Sequence, residues 1–433
     1  MKRKALVIGL DGVPFGMLQQ LMLEGIMPEL AKIASGGHFG SMEVPLPPLS
    51  SVSWSSFMTG KGPASHGIFG FTDLGLNHEL RLPSFLDLQS PTIFDLLGKK
   101  GLHSVVINMP ATYPARPIPG MLVSGFVAPD LNRATYPAGL ARDLADMGYR
   151  TDINMPECRK DHSRLFQELE QTLVCREKTA NLLWDAAPWD LFVLIITGTD
   201  RLMHFCYDAW IDHHSHRHKD FLNYFRKVDA VIGRLYRRFT DSSKEDKALV
   251  LLSDHGFCEL RLEVYLNRAL SDVGLLNFRI PNPRLPSDIE PQTTQAFVLD
   301  PGRVHVNIKG RYNKGIVPEK QRSKVLEKVL KRLTALRYEG KPVVHSVVYK
   351  EKAFNGPMQE LAPDAVLIPQ RGVEFKGALN SKNIFSISQL KGTHTHDNAF
   401  WLTSIDAISW PPPQNIMELS QLLLQWLLKG EPV

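Results

Sequence analysis

The stretch ALVIGLDG, Ala5–Gly12, is a six-residue apolar run that stops at an acid and a glycine. It shows no alternation of apolar and polar positions. The strand it predicts must therefore be covered on both faces, as in a parallel sheet between two helical layers. The pattern returns twice: LFVLIITGTD, Leu191–Asp200, delivers Asp200, and ALVLLSDHG, Ala248–Gly256, delivers Asp254 and His255. Helical stretches are readable around these strands. One runs through Met17–Ala34 to Gly36-Gly37, another is TIFDLLGKKG before the strand HSVVINMP, and a long one spans Phe166–Ala187. Phe221, Phe225, Val228, Ile232, Leu235 and Phe239 keep helical spacing within Lys219–Phe239, and MELSQLLLQWLL closes the chain. Helices alternating with fully apolar strands predict an α/β fold: a mostly parallel central sheet with helices on both faces.

From about Leu260 to Leu390 the texture changes. Polar alternating stretches (RVHVNIKG, KPVVHSVVYK), many prolines and one amphipathic helix (Val325, Leu326, Val329, Leu330, Leu333) predict a smaller α+β insertion or cap. The expected division is residues 1–259 and 391–433 as core, with 260–390 inserted.

The composition of the 433 residues, 43% hydrophobic and 22% charged, is that of an ordinary globular protein. A net charge of +5 with no dense Lys/Arg block gives no support to binding of a nucleic-acid polymer. Cys158, Cys175, Cys206 and Cys258 lie far apart without a CxxC pair, as reduced thiols would. MKRK precedes an apolar run too short for a signal peptide, and no apolar stretch approaches the roughly 20 residues of a membrane span. The expectation is a soluble cytoplasmic protein.

Ligands of open parallel sheets gather at the carboxyl ends of strands, so Asp11, Asp200 and Asp254 could converge. His204 follows Asp200 by four residues, His255 follows Asp254 directly, and His394 and His396 arrive late in a Gly/Thr turn. Asp and His together suit divalent ions such as zinc or manganese, and a pair of ions can serve phosphoryl transfer. Singly, an acid at a strand end is more often a turn former or helix cap. The serines between Leu49 and Ser56 are nucleophile candidates, with no G-x-S-x-G elbow around them, so metal activation fits better than a hydrolase triad. Gly60-Lys61-Gly62 is too short to cradle a nucleotide, and His213, His214, His216 and His218 read more simply as a solvated loop than as a metal site.

The order LDG, PPLSSVSWSSFMTGKGPASHGIF, TGTDRLMHF, LLSDHGF and GTH resembles the alkaline phosphatase superfamily. Within it, the chain resembles the prokaryotic type I phosphodiesterase/nucleotide pyrophosphatase branch, with further similarity in INMPATYP, VHVNIKGRYNKGIV and APDAVLIP. The resemblance implies a small-molecule phosphate ester as substrate and two divalent ions, zinc with manganese as the alternative. One ion would take Asp200, His204 and His394, with His396 the rival for the last place; the other would take Asp11, Asp254 and His255. The nucleophile of this branch stands nine residues before a Thr-Gly pair; counting back from Thr59 gives Ser50, which would also touch metal. Ser53, where eukaryotic-type relatives carry Asn, and Trp54 are expected at the substrate, and Val52 replaces the usual Pro.

A phosphodiesterase working through phospho-Ser50 is thus the first expectation, because Pro45–Met58 holds no Arg, Lys or His to neutralise a monoester dianion. A phosphomonoesterase or phosphomutase of the same superfamily is the alternative, although ordinary core units fill the chain between Ser50 and Asp200. A sulfatase is disfavoured by Val52 and Trp54, and a non-catalytic relative by the six competent ligand positions.

Overall fold

Strands without a polar face need neighbours on both edges and helices above and below, and the sheet supplies both. Its strands are β1 (Arg3–Leu10), β2 (His38–Met42), β3 (Ser104–Met109), β4 (Gly120–Ser124), β5 (Thr135–Tyr136), β6 (Leu191–Ile196), β7 (Asp246–Leu252) and β8 (Ala399–Ser404). The chain, seen in a computed structural model that describes residues 2–241, 245–404 and 411–428, arranges them in the order β2-β8-β7-β1-β6-β3-β4-β5. The five from β7 to β4 are parallel; β8 and β5 are antiparallel to their inner neighbours, and β2 is antiparallel to β8. Gly9 of β1 is level with Ile195 of β6 and with Leu252 of β7, so all three acid-bearing ends finish side by side.

Among the helices are α1 (Phe15–Leu23), α2 (Pro28–Ser35), α3 (Ser50–Thr59), α4 (Ile93–Lys99), α5 (Leu165–Ala186), α6 (Gly198–Ile211), α7 (His218–Asp241) and α8 (Ile416–Leu427). Ala5, Val7, Leu191, Val193, Ile195, Val250 and Leu252 pack in one apolar cluster with residues of α3, α4 and α8. Strand side chains alternate, so Leu6, Ile8, Phe192, Leu194 and Leu251, also buried, serve the opposite face, where α5, α6 and α7 pack together. The helix expected over Met17–Ala34 is two helices. Gly25 turns the chain at a φ of +69°, and Pro28 opens α2. Asp229 of α7 caps α2, accepting the Glu29 and Leu30 N–H groups at 3.0 and 2.8 Å.

The chain divides into two units, one of Met1–Lys61, Ser84–Phe257 and His394–Val433, the other of Gly62–Pro83 and Cys258–Thr393. The second is built on an antiparallel sheet in the order Ala296–Leu299, Arg303–Val306, Ala365–Pro369, Val344–Tyr349. The helix Arg322–Thr334 adds Leu326, Val329, Leu330 and Leu333 to its core. Gly62–Pro83 joins this unit through Leu74 in the core, a 3.1 Å bond between His78 and Asn307, and the Arg303 guanidinium donating to Thr72 O at 2.9 Å. Among the described residues no helix is long and apolar enough to cross a membrane. All four cysteines are free.

Gly9 decides how closely α3 approaches β1. A Cβ there would lie 2.4 Å from Trp54 Cη2 and 2.6 Å from Ile195 Cδ1. Gly9→Ala should cost about 1–3 kcal/mol, read from the urea midpoint, because the indole cannot retreat from a filled core. Gly16→Ala, with open space around it in α1, should be neutral or stabilising by up to about 1 kcal/mol. Equal midpoints for the two variants would refute the packing argument.

Candidate active site

The acids are delivered by register. Asp11 follows β1 and donates its N–H to Ile196 O at 3.1 Å, which ties it to the end of β6. Asp254 lies two residues beyond β7 and accepts the Gly12 N–H at 3.0 Å. Gly12 meets that demand at a φ of +74°, and a Cβ there would press on the Phe257 ring at 2.9 Å and on His255 Cε1 at 3.1 Å. Asp200 sits in the first turn of α6, one helical turn before His204. Thr199 stitches the two strand ends together, its hydroxyl reaching Asp11 O at 2.7 Å and Ile196 O at 3.0 Å.

Around these acids the imidazoles close in. His394 Nε2 is 3.2 Å from Asp200 Oδ1, His204 Nε2 is 3.4 Å from the same oxygen, and the two ring nitrogens are 3.0 Å apart. His394 donates Nδ1–H to Pro48 O at 2.9 Å, which turns Nε2 toward the acids. His255 Nε2 lies 3.5 Å from Asp11 Oδ1, 3.5 Å from Asp254 Oδ2 and 3.9 Å from Asp200 Oδ1. One atom each from Asp11, Asp254 and His255 falls within 4.8 Å of the others, and the same holds for Asp200, His255 and His394. His255 and His394 stack with centroids 3.7 Å apart, and Phe257 packs against them and His204.

Ser50 is the first residue of α3, and its Oγ is 3.4 Å from Asp11 Oδ1 and 3.3 Å from His255 Nε2. Ser53 and Trp54, expected to touch substrate, are fully buried in α3 at 0% exposure, against 8% for Ser50 at its start. Trp54 has 0% exposure and donates its indole N–H to Asp11 Oδ2 at 3.4 Å, so it supports an acid from behind. The Ser53 hydroxyl is buried with no hydrogen-bond partner among the described residues. His396 is in neither His/Asp group, and the histidines from His213 to His218 form no such group among the described residues.

Arg201 was not anticipated, although it stands beside Asp200 in TGTDRLMH. Its Nη1 donates to Asp200 Oδ2 at 2.6 Å, while Nε and Nη2 hold Asp152 at 3.0 and 2.7 Å. The partner Asp152 lies in an unpatterned loop and carries no sequence signal.

Electrostatics divides the acids. Burial, then repulsion by Asp254 and Asp200, raises Asp11 well above the carboxylate range. Burial also raises Asp254 to about 6, reinforced by Asp200 and opposed by the Gly12 N–H. Asp200 goes the other way: burial would raise it, but His204, His394 and Arg201 outweigh that and hold it ionised. Burial and the neighbouring His394 keep His255 neutral. The residues fit divalent cations. Asp254 Oδ2 is buried with no hydrogen-bond partner among the described residues, and His204 and His394 turn ring nitrogens on each other where a cation would relieve them.

The sequence model of the type I phosphodiesterase / nucleotide pyrophosphatase family matches residues 5–397, a span that holds every one of these side chains. The chain belongs to that family. It is accordingly a hydrolase of phosphoric ester bonds, in the alkaline phosphatase superfamily. Phosphonoacetate hydrolase from Sinorhizobium meliloti 1021, in complex with phosphonoformate, shares the fold with a TM-score of 0.66 at 16% identity, over 98% of this chain and 96% of that one. Murine ectonucleotide pyrophosphatase / phosphodiesterase 5 shares it with a TM-score of 0.59 at 14% identity, over 99% and 96%. No curated protein matches the sequence.

For this family member, two outcomes follow from the geometry. His394→Ala should strip bound metal, measured by elemental analysis, while His396→Ala should keep it; the reverse would reassign the turn. Zinc affinity, measured by chelator competition, should fall by roughly tenfold or more per unit as the pH drops below about 6, since protons then hold Asp254. A flat profile from pH 7 to 5 would contradict the carboxylate pairing.

Proposed function

We propose that this chain hydrolyses small phosphoric diesters, with Ser50 as nucleophile and two divalent ions, zinc in preference to manganese. Asp200, His204 and His394 would hold one ion, and Asp11, Asp254 and His255 the other, with Ser50 reaching it. The observation that carries the reading is the position of Ser50 Oγ, within 3.4 Å of both Asp11 and His255 at the start of a buried helix. Three aspartates and three histidines make a mixed oxygen and nitrogen donor set, which favours zinc over magnesium or calcium.

Bound divalent ions would supply Lewis acidity, favouring the serine alkoxide and neutralising charge on the phosphoryl oxygens. Ser50 Oγ gives up its proton to solvent and attacks phosphorus. The Oγ–P bond forms as the P–O bond to the leaving alcohol breaks, and the alcohol takes up a proton. Water then attacks the phosphoserine, freeing Ser50 and releasing the phosphoryl product. The N-terminus of α3 turns its positive dipole end to the same place, which favours an anionic group beside Ser50.

The preference for diesters rests on charge. No cation flanks Ser50 in sequence, and the guanidinium nearest the acids, Arg201, is engaged by Asp152 and Asp200. A monoester dianion would lack the cationic partner it commonly requires. The four free thiols support a reducing compartment, and we place the protein in the cytoplasm.

Ser50→Ala should abolish turnover of a bis-aryl phosphate with metal content unchanged, while Ser51→Ala retains substantial activity; acid-quenched wild-type enzyme should carry a phosphoryl group on Ser50. Loss at Ser51 alone would refute the assignment. A tenfold preference for the matched aryl monophosphate, about 1.4 kcal/mol, would overturn the diesterase reading.

A further inference from the structure

Asp200 has two oxygens, and the protein spends them differently. Oδ1 faces His394, His204 and, farther off, His255, at 3.2, 3.4 and 3.9 Å. Oδ2 is taken by Arg201 Nη1 at 2.6 Å. Lone guanidinium contact would also drain charge from a group needed to bind cations. Asp152 cancels that effect, holding Nε and Nη2 of Arg201 in a fork, with side-chain exposures of 12% for Arg201 and 14% for Asp152. The ring of Phe126 lies 4.5 Å beneath the guanidinium and fixes its plane.

Asp152 is itself anchored from a distance. Arg176 of α5, 2% exposed, donates Nη1 to Arg150 O at 2.6 Å and Nη2 to Thr151 O, clamping the two residues that precede Asp152. The Tyr149 ring lies 4.8 Å under the Arg176 guanidinium. A continuous path of partly buried, directional bonds thus runs from the centre of α5 to one oxygen of Asp200.

We propose that the Arg201–Asp152 pair is a positioning device that restricts Asp200 to one donor oxygen, Oδ1, without reducing its net charge. The proposal rests on the reading of Asp200 as a metal ligand. Arginine suits the task because its planar fork binds two carboxylates at once; a lysine could hold only one of them in fixed geometry.

The test uses the full chain loaded with cobalt(II), whose visible absorption reports ligand number, alongside chelator-competition affinity and the denaturation midpoint of the metal-free protein. Arg201→Met frees Oδ2, so the cobalt bands should change and affinity should fall by about 10- to 100-fold. Asp152→Asn, which leaves an uncompensated cation against Asp200, should also weaken binding, and Arg201→Lys should recover part of the Arg201→Met loss. A purely structural role would move the midpoint and leave the bands of folded, loaded protein unchanged; that result overturns the proposal. So does tighter binding in Arg201→Met, which would make Arg201 a mere electrostatic competitor. Wild-type protein that takes up no cobalt would overturn the metal assignment and the brace together.

Discussion

Three carboxylates buried within a few ångströms of one another set the terms for everything around them. Like charges 4 Å apart repel by roughly 4 kcal/mol even at an effective dielectric constant near 20, and burial adds a desolvation cost to each. The protein answers in two ways at once. Asp11 and Asp254, both buried and facing each other's charge, lie high in pKa. Asp200 stays ionised because two imidazoles and a guanidinium surround it.

That convergence depends on the parallel sheet. Only strands running the same way in matched register can end at one level, as Gly9, Ile195 and Leu252 do. The antiparallel strands β2, β8 and β5 at the sheet's two ends contribute none of the acids. The two glycines of β1 and its turn have separate tasks: Gly9 admits the Trp54 indole over the strand, and Gly12 adopts the positive φ that sends its N–H to Asp254. Placing Ser50 at the start of α3 completes the centre, since the remaining buried face of that helix pins its hydroxyl from the core side.

Much of this was legible in the sequence because parallel strands leave a coarse signature. Apolar runs such as Ala248–Leu252 have no polar face, and the acid at the end of each marks where the sheet stops. His204 stands four residues after Asp200 in the sequence, and the family resemblance points to Ser50 by its distance from Thr59. What sequence could not supply was the environment of each side chain. Trp54 shares a hydroxyl-rich stretch with Ser50, yet helical geometry turns its indole into the core toward Asp11. Arg201 was visible in its motif, but Asp152 depends on a loop that no periodicity marks. The division of Met17–Ala34 into two helices was obscured because both halves are apolar and the interruption is a single Gly-to-Pro turn.

On the proposed two-ion reading, the two halves of the centre would meet a cation on unequal terms. His204 and His394 have side-chain exposures of 15% and 16%, whereas His255 and Asp254 have 0%. On the reachable side Asp200 is already ionised, with one oxygen aimed and the other tied, so little must change for a cation to be held. On the sealed side the Asp11–Asp254 pair lies high in pKa, and a proton has to leave before both acids can act as ligands. A positive charge on the first side lowers the cost of ionising the second through the same short distances that raised it. The repulsion among the three acids is therefore what would couple the two halves.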